Sequence, residues 1–187
     1  MFRSFFSVAA LSVVALMAGC AHPISMAPKS ENIQHAANGK IPKTVGYVLT
    51  QADLDKEIES PGGGGDKVKY HPYRDIEPGL YTAFSDVFDN VVKLGAVSDP
   101  LVASRGVQLV IVPVVTTTSS SDSAFTWPPT EFTVELNCNV LNASGQSIKQ
   151  IKAVGRGQAS FSEFKSEFSL SARRASELAL SNLVKAL

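Results

Sequence analysis

Four groups of residues have the types and spacings that could do chemistry. Ser162-Glu163-Phe164-Lys165 sets a hydroxyl three residues before an amine, the Ser-x-x-Lys spacing of serine nucleophiles activated by lysine. That pattern works with a Ser-Asp-Asn and a Lys-Thr-Gly element, and the chain contains neither. Gly62 to Gly65, followed by Asp66 and Lys67, suggests a loop of backbone N–H groups around a phosphate. Such a loop needs Gly-x4-Gly-Lys-[Ser/Thr]; here Asp66 intrudes and Val68 stands where the metal-binding hydroxyl belongs, so a hinge is the simpler reading. His71 lies near Asp66, Asp75 and Glu77, but their spacing matches no metal-ligand pattern and no Gly-x-Ser-x-Gly elbow accompanies it. Cys138 alternates with Phe132, Leu136 and Val140, which makes it a buried, inert thiol, with an intermolecular disulfide as the sharper alternative. No catalytic residue, metal or cofactor is therefore expected.

The remaining cysteine stands in a different setting. Of residues 1–19, fourteen are apolar and only Arg3 is charged. Residues 5–17 form a thirteen-residue apolar run, too short to span a bilayer of about 30 Å as a helix but suited to a secretory signal. The run ends in Met17-Ala18-Gly19-Cys20, which resembles the lipobox of bacterial lipoproteins, with Leu16 one place earlier than the usual leucine. The resemblance implies cleavage before Cys20 and acylation of its thiol and new amino terminus, palmitate-type chains that would anchor the protein permanently. The residue after it is Ala21 rather than Asp, which by the same analogy implies the outer membrane, facing the periplasm. A lipidated Cys20 would also leave Cys138 without an internal partner.

Beyond the leader remain 168 residues with 16 basic and 17 acidic side chains, enough for one domain with a core. The near-neutral balance speaks against a nucleic-acid partner, which needs a basic field. Residues 20–43 contain Pro23, Pro28, Gly39 and Pro42 without periodicity and read as a flexible tether, leaving 44–187 as a single periplasmic α/β domain.

Three features suggest binding rather than catalysis. Lys67, Lys69, Tyr70, His71, Tyr73 and Arg74 mix basic and aromatic groups and could meet an anionic glycan, a lipid headgroup or a protein; the alternative is a loop packed over the sheet edge by its tyrosines. Val110, Val112 and Val114 give one face of a strand an apolar stripe, a docking site if uncovered. Phe125 and Trp127 end a Ser/Thr-rich loop and could anchor an interface or return to the core.

Positioning these groups requires a scaffold. The pattern predicts a strand at 44–50, an irregular stretch at 51–77, a helix at 78–94 with Pro78 in its first turn and Gly95 as its cap, and a strand at 107–115. After a polar loop, a clearly alternating strand at 130–141 turns through Asn142-Ala143-Ser144-Gly145 into a strand at 147–160. The inward set of that strand would be Ile151, Ala153, Gly155, Gly157, Ala159 and Phe161. An Ala-rich helix at 169–186 would pack its small residues against these glycines. The order β-α-β-β-β-α gives an α/β (α+β) two-layer sandwich, a four-stranded mixed sheet with two helices on one face.

Lipobox, closing hairpin and Ala-rich final helix together resemble small bacterial outer-membrane lipoproteins of the YajG-like, LptE-like and ABC-transport auxiliary types. The resemblance rests on architecture over residues 44–187 and carries over no functional residue except Cys20. It implies a non-catalytic accessory or scaffold subunit in envelope assembly or transport, bound to the membrane through Cys20 and to another envelope protein. A carrier of a small lipid or glycan is the alternative.

Overall fold

The computed structural model describes residues 21–37, 39–61, 67–121 and 129–187. The leader, Cys20, Gly62 to Asp66, Phe125 and Trp127 lie outside the described residues. The elements run β1 (Ala21–Pro23), β2 (Ile41–Val48), α1 (Gln51–Asp55), β3 (Ile58–Pro61), β4 (Lys67–Tyr70), α2 (Pro72–Val87), β5 (Phe88–Leu94), α3 (Leu101–Ser104), β6 (Leu109–Ser120), β7 (Glu131–Asn142), β8 (Ser147–Gln158), α4 (Phe161–Phe164) and α5 (Leu170–Ala186). The main sheet has five strands in the order β5-β2-β6-β7-β8, parallel across β5, β2 and β6 and antiparallel onward. A small sheet, β1-β4-β3, stands beside it.

The α+β character agrees with the expectation; the single four-stranded sheet and the count of two helices do not, because a second, three-stranded sheet and the short helices α1, α3 and α4 join the two long ones. The extra strand of the main sheet is β5, cut from the predicted 78–94 helix. That helix starts earlier, at Pro72, which takes the first-turn position, so Pro78 sits inside it. It stops at Val87 because Asp89 and Asn90 compete for backbone hydrogen bonds and Val91 and Val92 are β-branched. The segment pairs in parallel with β2 instead, from Ile41↔Phe88 to Val48↔Leu94. Gly95 accordingly caps no helix. The irregular stretch 51–77 is also ordered where described: Thr50 and Asp53 form a reciprocal capping box on α1, and β3 pairs with β4.

The second half follows its alternation closely. Phe132, Val134, Leu136, Cys138 and Val140 of β7 face the core, and Gly145 turns the hairpin at a φ of 81°. On β8, Ile151, Ala153, Gly155 and Gly157 are buried, as is Ala159 just past its end. Phe161 departs from this set: the strand has ended, Ser160 and Glu163 cap the short α4, and Phe164 is buried while Phe161 is exposed.

Gly155 and Gly157 bring backbone against backbone. A Cβ on Gly155 would overlap the Ala175 carbonyl oxygen and the Ala179 nitrogen; one on Gly157 would overlap the Ser171 carbonyl and the Ala175 nitrogen. Ala172, Ala175 and Ala179 supply the matching small surface on α5, and all three are buried.

The largest correction concerns the predicted tether. Residues 21–37 are packed on the domain. Ala21–Pro23 pair in parallel with Lys67–Lys69, and Ile24, Met26 and Ile33 enter the main core. The prolines and missing periodicity hide this segment because its regular structure is limited to β1 and one 3-10 turn at Ser30–Asn32; the rest is an extended strap filling the groove between α2 and α5. At Gly79 the three elements meet: a Cβ there would lie 2.5 Å from both Leu180 Cδ1 and Pro28 Cγ.

Replacing Gly155 by Ala must displace backbone and should destabilise the protein by about 3 kcal/mol, the upper range for overpacking. Gly39→Ala, where nothing lies within 4 Å, is the control and should melt close to the parent protein. Urea unfolding of the two variants checks this; equal midpoints would show that α5 does not sit this close to β8. A second test uses acid. Arg174 and the Ser160 N–H and hydroxyl pull the Glu163 carboxyl down to about 2 from 4.5. Its folded value lies below its unfolded one, so its contribution is present above about pH 4.5 and fades as pH falls toward 2. Glu163→Gln should lower stability at neutral pH, and the difference from the parent should close over that window.

Candidate functional site

The basic and aromatic segment divides into two roles. Tyr70 and Tyr73 are buried. The Tyr70 hydroxyl shares a hydrogen bond of 2.8 Å with Thr117 Oγ1, and the Tyr73 hydroxyl accepts one of 3.2 Å from the Val115 N–H. Both tyrosines thus hold β4 and α2 against β6. The polar neighbours of this segment point outward and meet acids from the 55–59 stretch: Lys67 Nζ is 2.5 Å from Glu59, His71 Nε2 3.6 Å from Glu57 and Arg74 3.0 Å from Asp55. Charge that would draw an anion is balanced locally, and Lys69 is half-buried on β4.

The valine stripe also divides. Val110 is buried in a second apolar cluster with Val48, Leu94, Val107 and Leu141, where Val102 of α3 and its flanking chain lie on the outer face of the sheet. The cover over Val110 thus comes from the α3 region, through Val102 and Val107. Val112 is half-buried and Val114 exposed. These two line an open groove of about 520 Å³ with Asn137, Asn139, Ile151 and Lys152. Around it the outer face is polar: Glu135 meets Lys152 at 2.8 Å and accepts a hydrogen bond of 2.7 Å from Asn137 Nδ2. Those two bonds hold the half-buried Glu135 carboxyl below its usual range. The combination of a small apolar spot and a hydrogen-bonding rim suits a protein surface better than a closed ligand cavity.

Cys138 belongs to the opposite, helix-covered face, and burial pushes its thiol up to about 12. A thiolate is therefore scarce at neutral pH and the sulfur inaccessible, as its alternation implied.

Sequence reasoning missed the carboxylates that hold the strap. Glu177, buried on α5, accepts hydrogen bonds from the Lys29 N–H at 3.1 Å, Asn32 Nδ2 at 2.9 Å and Arg173 at 3.1 Å. Asp75 accepts from the Met26 N–H at 2.9 Å, and burial raises its carboxyl pKa against that bond. Asp86 accepts from the Ala36 N–H and pairs with His35 at 2.8 Å. Partial burial raises the Asp86 pKa, but these two bonds outweigh it and hold the carboxyl below its ordinary range. Ser181 Oγ accepts from the Gln34 N–H at 3.0 Å. Beyond its short pairing with β4 the strap has no hydrogen-bond ladder, so its buried N–H groups need such side-chain partners. The sequence hides it: two residues from both Ala175 and Ala179, Glu177 lies across α5 from the stripe that meets β8, a position where a carboxylate is ordinarily solvated.

Among the described residues no helix is long and apolar enough to cross a membrane. No family model and no curated protein matches the sequence. Solved structures do match. The fold is similar to that of a Xanthomonas campestris protein of the DUF330 family, at 14% identity and a TM-score of 0.50, covering 88% of this chain and 90% of the other. PelC from Paraburkholderia phytofirmans, crystallised as a dodecamer, matches at 12% identity and a TM-score of 0.42 over 78% of this chain and 95% of its own. A minor lipoprotein from Acinetobacter baumannii matches at 10% identity and 0.35 over 78% and 87%. At these identities the likeness is one of fold.

Glu177→Ala removes the acceptor of two strap donors and one partner of Arg173. It should cost about 2 kcal/mol, the scale of lost hydrogen bonds to a buried charged group. It should also open the chain at Lys29 to trypsin in native buffer. Cleavage there at the parent rate would show that the strap does not depend on this carboxylate.

Proposed function

We propose that this chain is a lipoprotein of the bacterial envelope, anchored through Cys20 in the outer membrane and facing the periplasm. It acts as a non-catalytic accessory or scaffold subunit in envelope assembly or transport. The observation that carries this reading is the junction at Cys20. The apolar leader and Met17-Ala18-Gly19-Cys20 end where the folded domain starts, since Ala21 is already the first residue of β1. Cleavage before Cys20 would leave the acylated residue as the first of the mature protein, directly joined to its sheet. The DUF330-type fold is compatible with such a role.

The mechanism is recruitment. Lipid holds the domain at the leaflet, and the outer face of the main sheet, with Val112 and Val114 framed by Asn137, Asn139 and Lys152, receives an envelope protein. The carrier reading has less support, because Gly155 and Gly157 bring α5 into backbone contact with β8 and close the space between helix and sheet.

Full-length protein purified from membranes in mild detergent tests this beside Cys20→Ala and Val114→Lys. A stoichiometric envelope protein should accompany the parent. Cys20→Ala should release the protein from the membrane fraction, and Val114→Lys, at an exposed position, should stay anchored and lose the partner. A defined lipid in every sample and no protein would overturn the scaffold reading in favour of the carrier.

A further inference from the structure

We propose that the end of the domain formed by residues 160–169 is a bilayer-contacting edge, with Phe161 and Phe168 seated in the lipid interface beside the acyl chains. This rests on the reading that Cys20 is acylated. The partner it fits is a lipid surface.

Connectivity locates the edge. Ala21 pairs with Lys67, at the end of the β3-β4 pair where Pro61 and Lys67 face each other and residues 62–66 connect them. Ser60 of that hairpin shares a 2.8 Å hydrogen bond with Ser119, so this end coincides with the far end of β6. From there the register runs Ser120↔Glu131 and Glu131↔Gln158, and β8 leads straight into 159–169. The Ser25 N–H closes the circle by donating to Ser169 Oγ at 3.0 Å. Only Ala21 to Ile24 separate Ser25 from Cys20, so the acylated residue lies within about 17 Å of Ser25 even if the chain is fully extended. With no tether, the lipid chains must enter the membrane at this end.

The residues found there have the chemistry of an interface. Phe161 is 59% exposed and Phe168 49% exposed, although aromatic rings of this size normally seek cover. The segment that carries them is fixed: Phe164 is buried with Ala159 and Leu170, and Glu163 is tied to Ser160 and Arg174. The two exposed rings are therefore presented by a rigid turn. Lys165 Nζ lies 4.6 Å from the Phe161 ring centroid, an aliphatic stem with a charged tip that can reach headgroups while the ring sits deeper. The neighbouring arginines are already engaged, Arg173 by Glu167 and Glu177 and Arg174 by Glu163, so contact here is apolar rather than a basic attraction to anionic lipid. The far end of the molecule, near Ile148 and the Asn142–Gly145 turn, would then face away from the leaflet.

Lipid-depth quenching tests this with the full-length protein, purified from membranes and reconstituted in phosphatidylcholine vesicles containing brominated lipid. With Trp127→Phe as background, single reporters are placed by Phe161→Trp, Phe168→Trp and Ile148→Trp, all at exposed positions. Mass measurement of the N-terminal peptide reads acylation in the same samples. The Phe161→Trp or Phe168→Trp reporter should lose about half or more of its emission, as expected for an interfacial aromatic, and Ile148→Trp should lose almost none. Acylated protein whose three reporters are quenched alike, or most strongly at 148, overturns the orientation and leaves the anchor standing. An unacylated N-terminal peptide overturns both.

Discussion

Everything in this fold turns on how closely α5 approaches β8. Gly155 and Gly157 carry no side chain where α5 crosses, and Ala175 and Ala179 answer with the smallest side chain that still favours a helix. The helix therefore lies almost on the sheet. That leaves room beside it for α2, whose larger Leu80 and Phe84 fill the core over the middle strands. The two helices then define a groove on their outer side, and the groove is what the chain following Cys20 occupies.

The strap consequently acts as a third layer. Its apolar residues Ile24, Met26 and Ile33 complete the core from outside, and its backbone N–H groups are received by Asp75, Glu177, Ser181 and Asp86. These acceptors come from both long helices, so the strap ties α2 to α5. The physical consequence is directional. A chain held this firmly keeps Ala21 and the residues after it at a fixed place relative to the surfaces of the domain.

Legibility in the sequence tracked regularity. The β7-β8 hairpin and the final helix are dominated by one period each, and their buried faces were readable from Phe132 to Val140 and from Ile151 to Ala159. The α2–β5 boundary was not, because Phe84, Val87, Phe88, Val91 and Val92 satisfy a helical spacing as well as they satisfy a helix followed by a strand; pairing with β2 decides it. The strap was illegible because the side-chain acceptors that hold it to the helices lie some fifty to one hundred and fifty residues away. Of the surface candidates, Tyr70 and Tyr73 turned out to be packing residues and Val110 is covered, while Val114 remains open. Phe161, assigned to the core by extrapolating the β8 alternation by one step, is exposed, because the capping box at Ser160 ends the strand first.

The central claim is that the residues following Cys20 belong to the fold. Amide hydrogen exchange of the strap measures this most directly. The N–H groups of Ile24, Met26, Lys29, Gln34 and Ala36 each have a defined acceptor. Their exchange should be slowed together, approaching the protection of α5 amides. Exchange at the rates of an unstructured peptide, with α5 still protected, would contradict the account and restore the flexible tether that the sequence suggests for residues 20–43.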